Sequence, residues 1–204
     1  GKNSAVLSGI LVKSLGSDKV IGISMPCESL KGDYNDAKII SDYYNFKLLN
    51  VDLNEIYKLF IKEIKKTGNY QNKELLKSNI NLKPRLRMTC LYYFSSLYTS
   101  LTNKQYLVIG SSNACELYVG YFTKGGDYVA DIMPLAHLTE DEVIEIGKIL
   151  NTPEEILLKT STDGITGLTD EKVLGISYNT VGDFLKGKEI PQKDKEKIIK
   201  LHNN

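Results

Sequence analysis

Between Glu116 and Asp131 the chain gathers three carboxylates and one ammonium, Glu116, Lys124, Asp127 and Asp131, within sixteen residues. Carboxylates at this density can hold a divalent cation through hard oxygen donors, and a lysine among them can meet an anionic substrate. Gly110-Ser111-Ser112 introduces the run, small residues that let a ligand approach the backbone. Gly1-Lys2-Asn3-Ser4 is a second chemical stretch, a glycine start to a helix whose free N–H groups suit an anion. Asn81, Arg85 and Arg87 form a third, where guanidinium groups can grip a carboxylate or phosphate bidentately. Spacing alone also admits plainer readings: a solvated acidic loop, an ordinary helix cap, and surface arginines in local ion pairs.

These stretches need a frame. Tyr106–Ile109 is an apolar run that predicts a buried parallel strand, placing Ser111 and Glu116 where open α/β sheets bind their ligands. The first segment predicts a helix capped by Ser4 and ended by Gly16. Lys19–Pro26, ended by its proline, and Lys47–Val51 predict further strands, with helices from Asp33 to Tyr44 and from an Asn54 cap to about Lys66. Lysine-rich 62–77 reads as a solvated helix face and connector. Pro84 suits the first turn of a helix opening at Asn81–Met88 and running to about Leu101. Thr139, with acids in the following turn, predicts a capped helix to Leu150, and 178–185 and 191–201 predict two more. The polar, glycine-containing segment 160–169, with Ser161, has the composition of a loop that could cover a ligand or merely connect. Alternating strands and helices imply an α/β fold, a parallel sheet flanked by helices, in one domain over residues 1–204.

Bulk properties remove several classes. Twenty-six basic against 25 acidic residues leave no long electrostatic track for nucleic acid. No stretch is apolar enough to span a membrane as a helix, and no leader is visible, so the expectation is a cytoplasmic protein. Cys27, Cys90 and Cys115 are odd in number and widely spaced, which fits reduced thiols better than a disulfide frame or a zinc site.

Four segments, in order, resemble the NAD synthetase family of N-type ATP pyrophosphatases: Gly1–Val6, Asn81–Met88, Gly110–Asp131, and 159–178. Their most specific stretches are Arg85-Leu-Arg-Met88, Glu116-Leu-Tyr-Val-Gly-Tyr-Phe-Thr-Lys124 and Leu174-Gly-Ile-Ser-Tyr178. The resemblance implies a Rossmann-like three-layer fold (adenine-nucleotide alpha hydrolase-like), a homodimer, and ATP with Mg²⁺. It also implies the reaction: adenylation of the nicotinate carboxylate of deamido-NAD⁺, then displacement of AMP by ammonia. Carried over by position, Gly1, Lys2, Asn3, Ser4, Ala5, Val6, Ser111 and Ser161 would bind ATP. Glu116 and Asn3 would hold the metal. Asn81, Arg85, Lys124, Asp127 and Asp131 would bind deamido-NAD⁺, and Ser4, Glu116 and Lys124 would stand closest to the chemistry. The resemblance further implies an N-terminal strand and a basic C-terminal tail outside residues 1–204.

Two positions depart from the family pattern. Asn3 occupies the place of an aspartate that shares the metal with the glutamate, and Glu140 that of a lysine that meets the triphosphate. At about 4 Å and an effective dielectric near 20, a unit charge is worth roughly 4 kcal/mol, so a reversal of sign is consequential. The expectation is therefore an ammonia-dependent synthetase. The alternative is a nucleotide-binding homologue with impaired catalysis; a tRNA-thiolating relative is disfavoured by the lack of paired cysteines and of a basic RNA surface.

Overall fold

The computed structural model of the protein describes residues 1–29, 32–159 and 169–203, with Asn72 and Lys77 as backbone only. Helix α1 (Lys2–Leu15) is followed by strand β1 (Ile21–Ser24), α2 (Asp33–Tyr44), β2 (Lys47–Asn50) and α3 (Asn54–Lys65). After α4 (Asn72–Thr102) come the short α5 (Ala114–Tyr118), α6 (Glu140–Ile149), α7 (Glu154–Leu157), α8 (Asp170–Leu174), α9 (Tyr178–Leu185) and α10 (Gln192–His202). Strands β1 and β2 pair in parallel, Ile21 opposite Lys47 and Ser24 opposite Asn50, with α2 as their crossover. This is the α/β architecture the alternation implies.

Helix α1 is the centre of the packing. Its Ala5 joins Val20, Ile40, Phe46 and Ile156 in one core, while Val6 and Leu7 join Leu135, Val143 and Leu157 in another. Two further cores lie apart: Cys27, Leu53 and Tyr57 under α3 and α4, and Cys115, Val119, Tyr178, Val181 and Ile198 around α5, α9 and α10. Apolar residues on opposite sides of α1 are thus both buried, which fixes its axis and its rotation.

Several expectations are corrected. Tyr106–Ile109 does not extend into a strand; it contributes one parallel bridge, Ile109 to Ile132. The Asp131 side chain accepts the Val108 N–H at 2.7 Å and so takes a donor that a longer ladder would use. Ser4 does not cap α1: Gly1 is the N-cap, and the Ser4 hydroxyl donates to the Gly1 carbonyl at 2.9 Å. Asn54 is the first residue of α3 rather than its cap, because its side-chain oxygen accepts the Glu28 N–H instead. Helix α4 starts well before Pro84, at a capping box of Gln71 and Glu74. Pro84 therefore lies inside the helix, where it deprives the Ile80 carbonyl of its donor. Leu82 and Leu86 packed against the core on either side hold the helix through that gap. Segment 160–168 lies outside the described residues, and with it Ser161 and all of the expected covering loop except Thr169.

Gly147 sets the distance between α6 and α1. A β-carbon there would stand 2.4 Å from Leu157 Cδ1 and 2.8 Å from Val6 Cγ2, both on fully or almost fully buried side chains. Alanine would gain about 1 kcal/mol of helix propensity, but overpacking a core costs about 1–3 kcal/mol. Gly147→Ala is therefore expected to lose up to about 2 kcal/mol. Urea unfolding with an unchanged m-value checks this.

Candidate nucleotide and metal site

The first turn of α1 projects out of the two cores that hold the helix. Gly1, Ser4 and Ser8 line one wall of a depression of about 180 Å³ whose other walls are Gly22–Ser24 of β1 and Asp33 and Asp36 of α2. This is the carboxyl end of a parallel strand beside a helix N-terminus, the usual place for a nucleotide in an open α/β sheet. Lys159 pairs with Asp36 at its rim. Ala5 and Val6 are buried and offer only backbone here.

Lys2 and Asn3 project toward two carboxylates from distant parts of the chain. The Asn3 amide donates to both Glu116 oxygens at 3.1 Å, and the Lys2 ammonium lies 2.7 Å from Glu140 Oε1. Glu116 is held from its own side too: its carboxylate accepts the Asn113 N–H at 2.9 Å, while Asn113 Oδ1 accepts the Glu116 N–H at 3.0 Å. That reciprocal capping box aims Glu116 across the start of α5. Ser111, half-buried, stands just before it.

Electrostatically the centre is crowded with acid. Burial pushes Glu116 up to about 7; the Asn113 N–H opposes this, and the charges of Asp170, Glu140 and Asp127 add to it. Asp170 is buried and accepts from the Tyr121 hydroxyl at 3.3 Å. Next to them Tyr178, 2% exposed, has a buried hydroxyl with no hydrogen-bond partner among the described residues. Burial, followed by the charges of Glu116 and Asp170, strongly disfavours its ionisation. Cys115 is not a nucleophile in this setting, since burial raises its thiol to about 11.

A second group of polar residues is assembled between α4 and the loop after α5. Arg85 Nε donates to the Lys124 carbonyl at 3.0 Å, Thr123 Oγ1 donates to Asn81 Oδ1 at 2.9 Å, and the Thr123 N–H donates to Asp127 Oδ1 at 2.7 Å. Gly126 makes the approach possible: a β-carbon there would lie 2.9 Å from Pro84 Cβ and 3.1 Å from its carbonyl carbon. The Lys124 side chain remains exposed. Asp131 is not part of this group's bonding, for its carboxylate accepts from Val108 N–H and the Tyr92 hydroxyl. Arg87 faces another way, donating to the Met25 carbonyl and the Ser29 hydroxyl, so its role is to hold the loop after β1.

The structure thus brings Lys2, Asn3 and Glu116 together, and Asn81, Arg85, Lys124 and Asp127 together. Sequence reasoning did not find the Lys2–Glu140 pair, nor Asp170 and Tyr178 as neighbours of Glu116. Asn113-Ala-Cys-Glu116 carried a capping signature that would have located α5. Nothing in the spacing linked residues 2 and 140, because that contact is made by folding.

A sequence model described as NAD synthase matches residues 1–204. The NH(3)-dependent NAD(+) synthetase of Alkaliphilus metalliredigens is 37% identical, covering 99% of this chain and 81% of its own length. That of Carboxydothermus hydrogenoformans is 39% identical, covering 91% and 73%. Among solved structures, NMN synthetase from Francisella tularensis superposes with a TM-score of 0.88 at 34% identity, over 100% of this chain and 80% of its own. NH3-dependent NAD synthetase from Campylobacter jejuni gives 0.70 at 26% identity, over 100% and 79%.

The polar centre costs stability. The folded pKa of Glu116, about 7, lies above its unfolded value near 4.5, so the folded state binds this proton more tightly. Without metal or nucleotide, wild-type stability is expected to fall as pH rises from about 4.5 to 7 through this group. Glu116→Gln, which keeps the capping geometry, should then be more stable than wild type by about 2 kcal/mol at pH 8 and equal to it at pH 4. Tyr178→Phe, which removes an unsatisfied buried hydroxyl, should gain about 1 kcal/mol at either pH. Thermal unfolding of the three proteins at both pH values checks these signs.

Proposed function

The chain belongs to the NAD synthase family, and from that membership we infer that it is an ammonia-dependent NAD⁺ synthetase, a ligase that forms a carbon–nitrogen bond at the expense of ATP. The observation that carries this reading, beside the family itself, is the joining of the helix start at Lys2-Asn3-Ser4 to Glu116. The nicotinate carboxylate of deamido-NAD⁺ attacks the α-phosphorus of ATP and pyrophosphate leaves. Ammonia then adds to the acyl carbon and AMP departs, giving NAD⁺. A carboxylate expels oxide poorly whereas an acyl-adenylate expels AMP well, so adenylation supplies the leaving group. The protein has to position the reactants and stabilise the charge that develops.

The ATP phosphates belong at the α1 N-terminus, with the Gly1–Val6 backbone and Ser4 on one side and Ser111 on the other; Ser161 is proposed from the family pattern alone. Glu116 and Asn3 would offer one carboxylate and one amide oxygen, an all-oxygen set that suits Mg²⁺, once the Asn3 amide turns over, since its nitrogen now donates to Glu116. No group of three or more metal-ligating side chains gathers among the described residues, so water and phosphate would complete the shell. Magnesium there would screen phosphate charge and favour the ionised form of Glu116. Asn81, Arg85, Lys124 and Asp127 form the dinucleotide side, with Asp131 supporting it from behind. Tyr178, whose hydroxyl has no hydrogen-bond partner among the described residues and which feels the charges of Glu116 and Asp170, is a candidate to orient the incoming ammonia.

We read residues 1–204 as one NAD synthase domain that works as a homodimer in the cytoplasm. Support for a dimer comes from the exposed apolar side chains Ile56, Leu59, Phe60 and Ile64, which recur at helical spacing along one side of α3. No helix among the described residues is long and apolar enough to cross a membrane. Nothing in the comparisons favours a homologue without catalysis.

One observation favours a second substrate. The greater structural likeness is to a protein called NMN synthetase, 0.88 against 0.70 for the Campylobacter NAD synthetase. The same chemistry on nicotinate mononucleotide would yield NMN, and the acyl adenylation is unchanged.

Incubation with ATP, Mg²⁺, ammonium and either deamido-NAD⁺ or nicotinate mononucleotide decides between them. Equal appearance of AMP and NAD⁺, with a higher kcat/KM for the dinucleotide, is expected. Preference for the mononucleotide would reassign the substrate, and ATP binding without AMP in either mixture would refute ligase activity. Glu116→Ala should lower turnover by at least about 100-fold, and Asn3→Asp should tighten Mg²⁺, read as a lower activating concentration. A Glu116→Ala enzyme of unchanged rate would sink the metal assignment.

A further inference from the structure

Lys2 and Glu140 form the only ion pair among the described residues in which both side chains are withdrawn from water, 10% and 9% exposed. The other pairs keep at least one partner well exposed, as with Lys83 and Glu28 at 5% and 48%. Stability does not explain such a pair, because desolvating two charges consumes most of their mutual attraction. Nor does local helix electrostatics. Lys2 is the first residue of α1, whose first turn carries no acidic residue, so its ammonium stands at the positive end of the helix dipole. Glu140, by contrast, is in the favourable place for a carboxylate, the first turn of α6.

A cation held at an unfavourable position by a carboxylate, one residue before Asn3 and two before Ser4, has the arrangement of a phosphate ligand whose phosphate is represented by an acid. Resting on the nucleotide reading above, we propose that Lys2 is the phosphate-facing cation of this site and that Glu140 is its resting partner, giving up the ammonium when the triphosphate or pyrophosphate arrives. The cation thus comes from α1 rather than from α6, and the acid at position 140 does not leave the phosphates without a lysine. Glu140 then tunes affinity: it competes with phosphate oxygens for Lys2, weakening the hold on pyrophosphate that must leave after adenylation.

Removing Lys2 alone would strand a buried carboxylate and could unfold the protein. The test therefore compares Glu140→Gln, whose amide oxygen can still accept a hydrogen bond from the ammonium, with the double variant Lys2→Met with Glu140→Gln, which leaves neither charge behind. Pyrophosphate and ATP binding, each with Mg²⁺, are measured by calorimetry on wild type and both variants, with thermal unfolding alongside. Glu140→Gln should bind pyrophosphate about tenfold more tightly than wild type, and the double variant at least about tenfold more weakly than Glu140→Gln. A pair with a merely structural role would shift the melting temperatures and leave the two variants equal in affinity; equality within about twofold overturns the proposal. Wild type that binds neither probe would overturn the nucleotide reading and this proposal with it. Binding by wild type with equal variants would remove only the role of Lys2.

Discussion

The burial of α1 on opposite sides is the constraint on which the site depends. Ala5 is committed to the core over the strands, and Val6 and Leu7 to the core under α6 and α7. A rotation of α1 would strip one core to favour the other, and each fully buried aliphatic side chain is worth about 1.5–3 kcal/mol. The helix is therefore locked at the residues immediately following its first turn. The N–H groups of Lys2, Asn3 and Ser4, which have no partner within the helix, are aimed by the apolar packing of the residues that follow. The close contact of Gly147 with Val6 and Leu157 adds the third dimension, the spacing of α1 from α6. Only with both rotation and spacing set can adjacent residues, Lys2 and Asn3, reach carboxylates on two other helices.

Polar groups around this helix start are arranged against stability. Burial pushes Glu116 up to about 7, Asp170 and Glu140 are buried near it, and the Tyr178 hydroxyl has no hydrogen-bond partner among the described residues. Unsatisfied and like-charged groups in one place are disfavoured in an interior and persist where a ligand completes them. The compensations are local. Asn3 and Asn113 hydrogen-bond Glu116 from two sides, and Lys2 balances Glu140.

Much of this was legible from residues. The helix limits at Asp33, Tyr44, Tyr178 and Leu185 follow from apolar periodicity and caps, whereas the acids after Gly110 read equally as a solvated loop until the matching segments elsewhere in the chain made them a candidate site. What could not be read follows from competition between bonds. Asn54 looked like a cap, yet its side chain serves Glu28; Pro84 looked like a helix start, yet tertiary packing carries α4 across it. The Tyr106–Ile109 run has strand composition, but Asp131, 23 residues on, takes the Val108 N–H. Within the site, Ser4, Asn3 and Glu116 were named by position from the family resemblance, whereas Glu140 was noticed only as an acid in a lysine's place. That it already holds a lysine is a fact of three-dimensional neighbourhood.

Gly126 against Pro84 has a consequence for how such a protein can change. The loop bearing Lys124 and Asp127 rests on the backbone of α4 at van der Waals distance, with no room for even one added methyl group. Its course is thereby inherited from a proline on another element. Variation in what this surface recognises has to come from the side chains the loop displays. The path is fixed by that contact, and the displayed side chains are the part open to change.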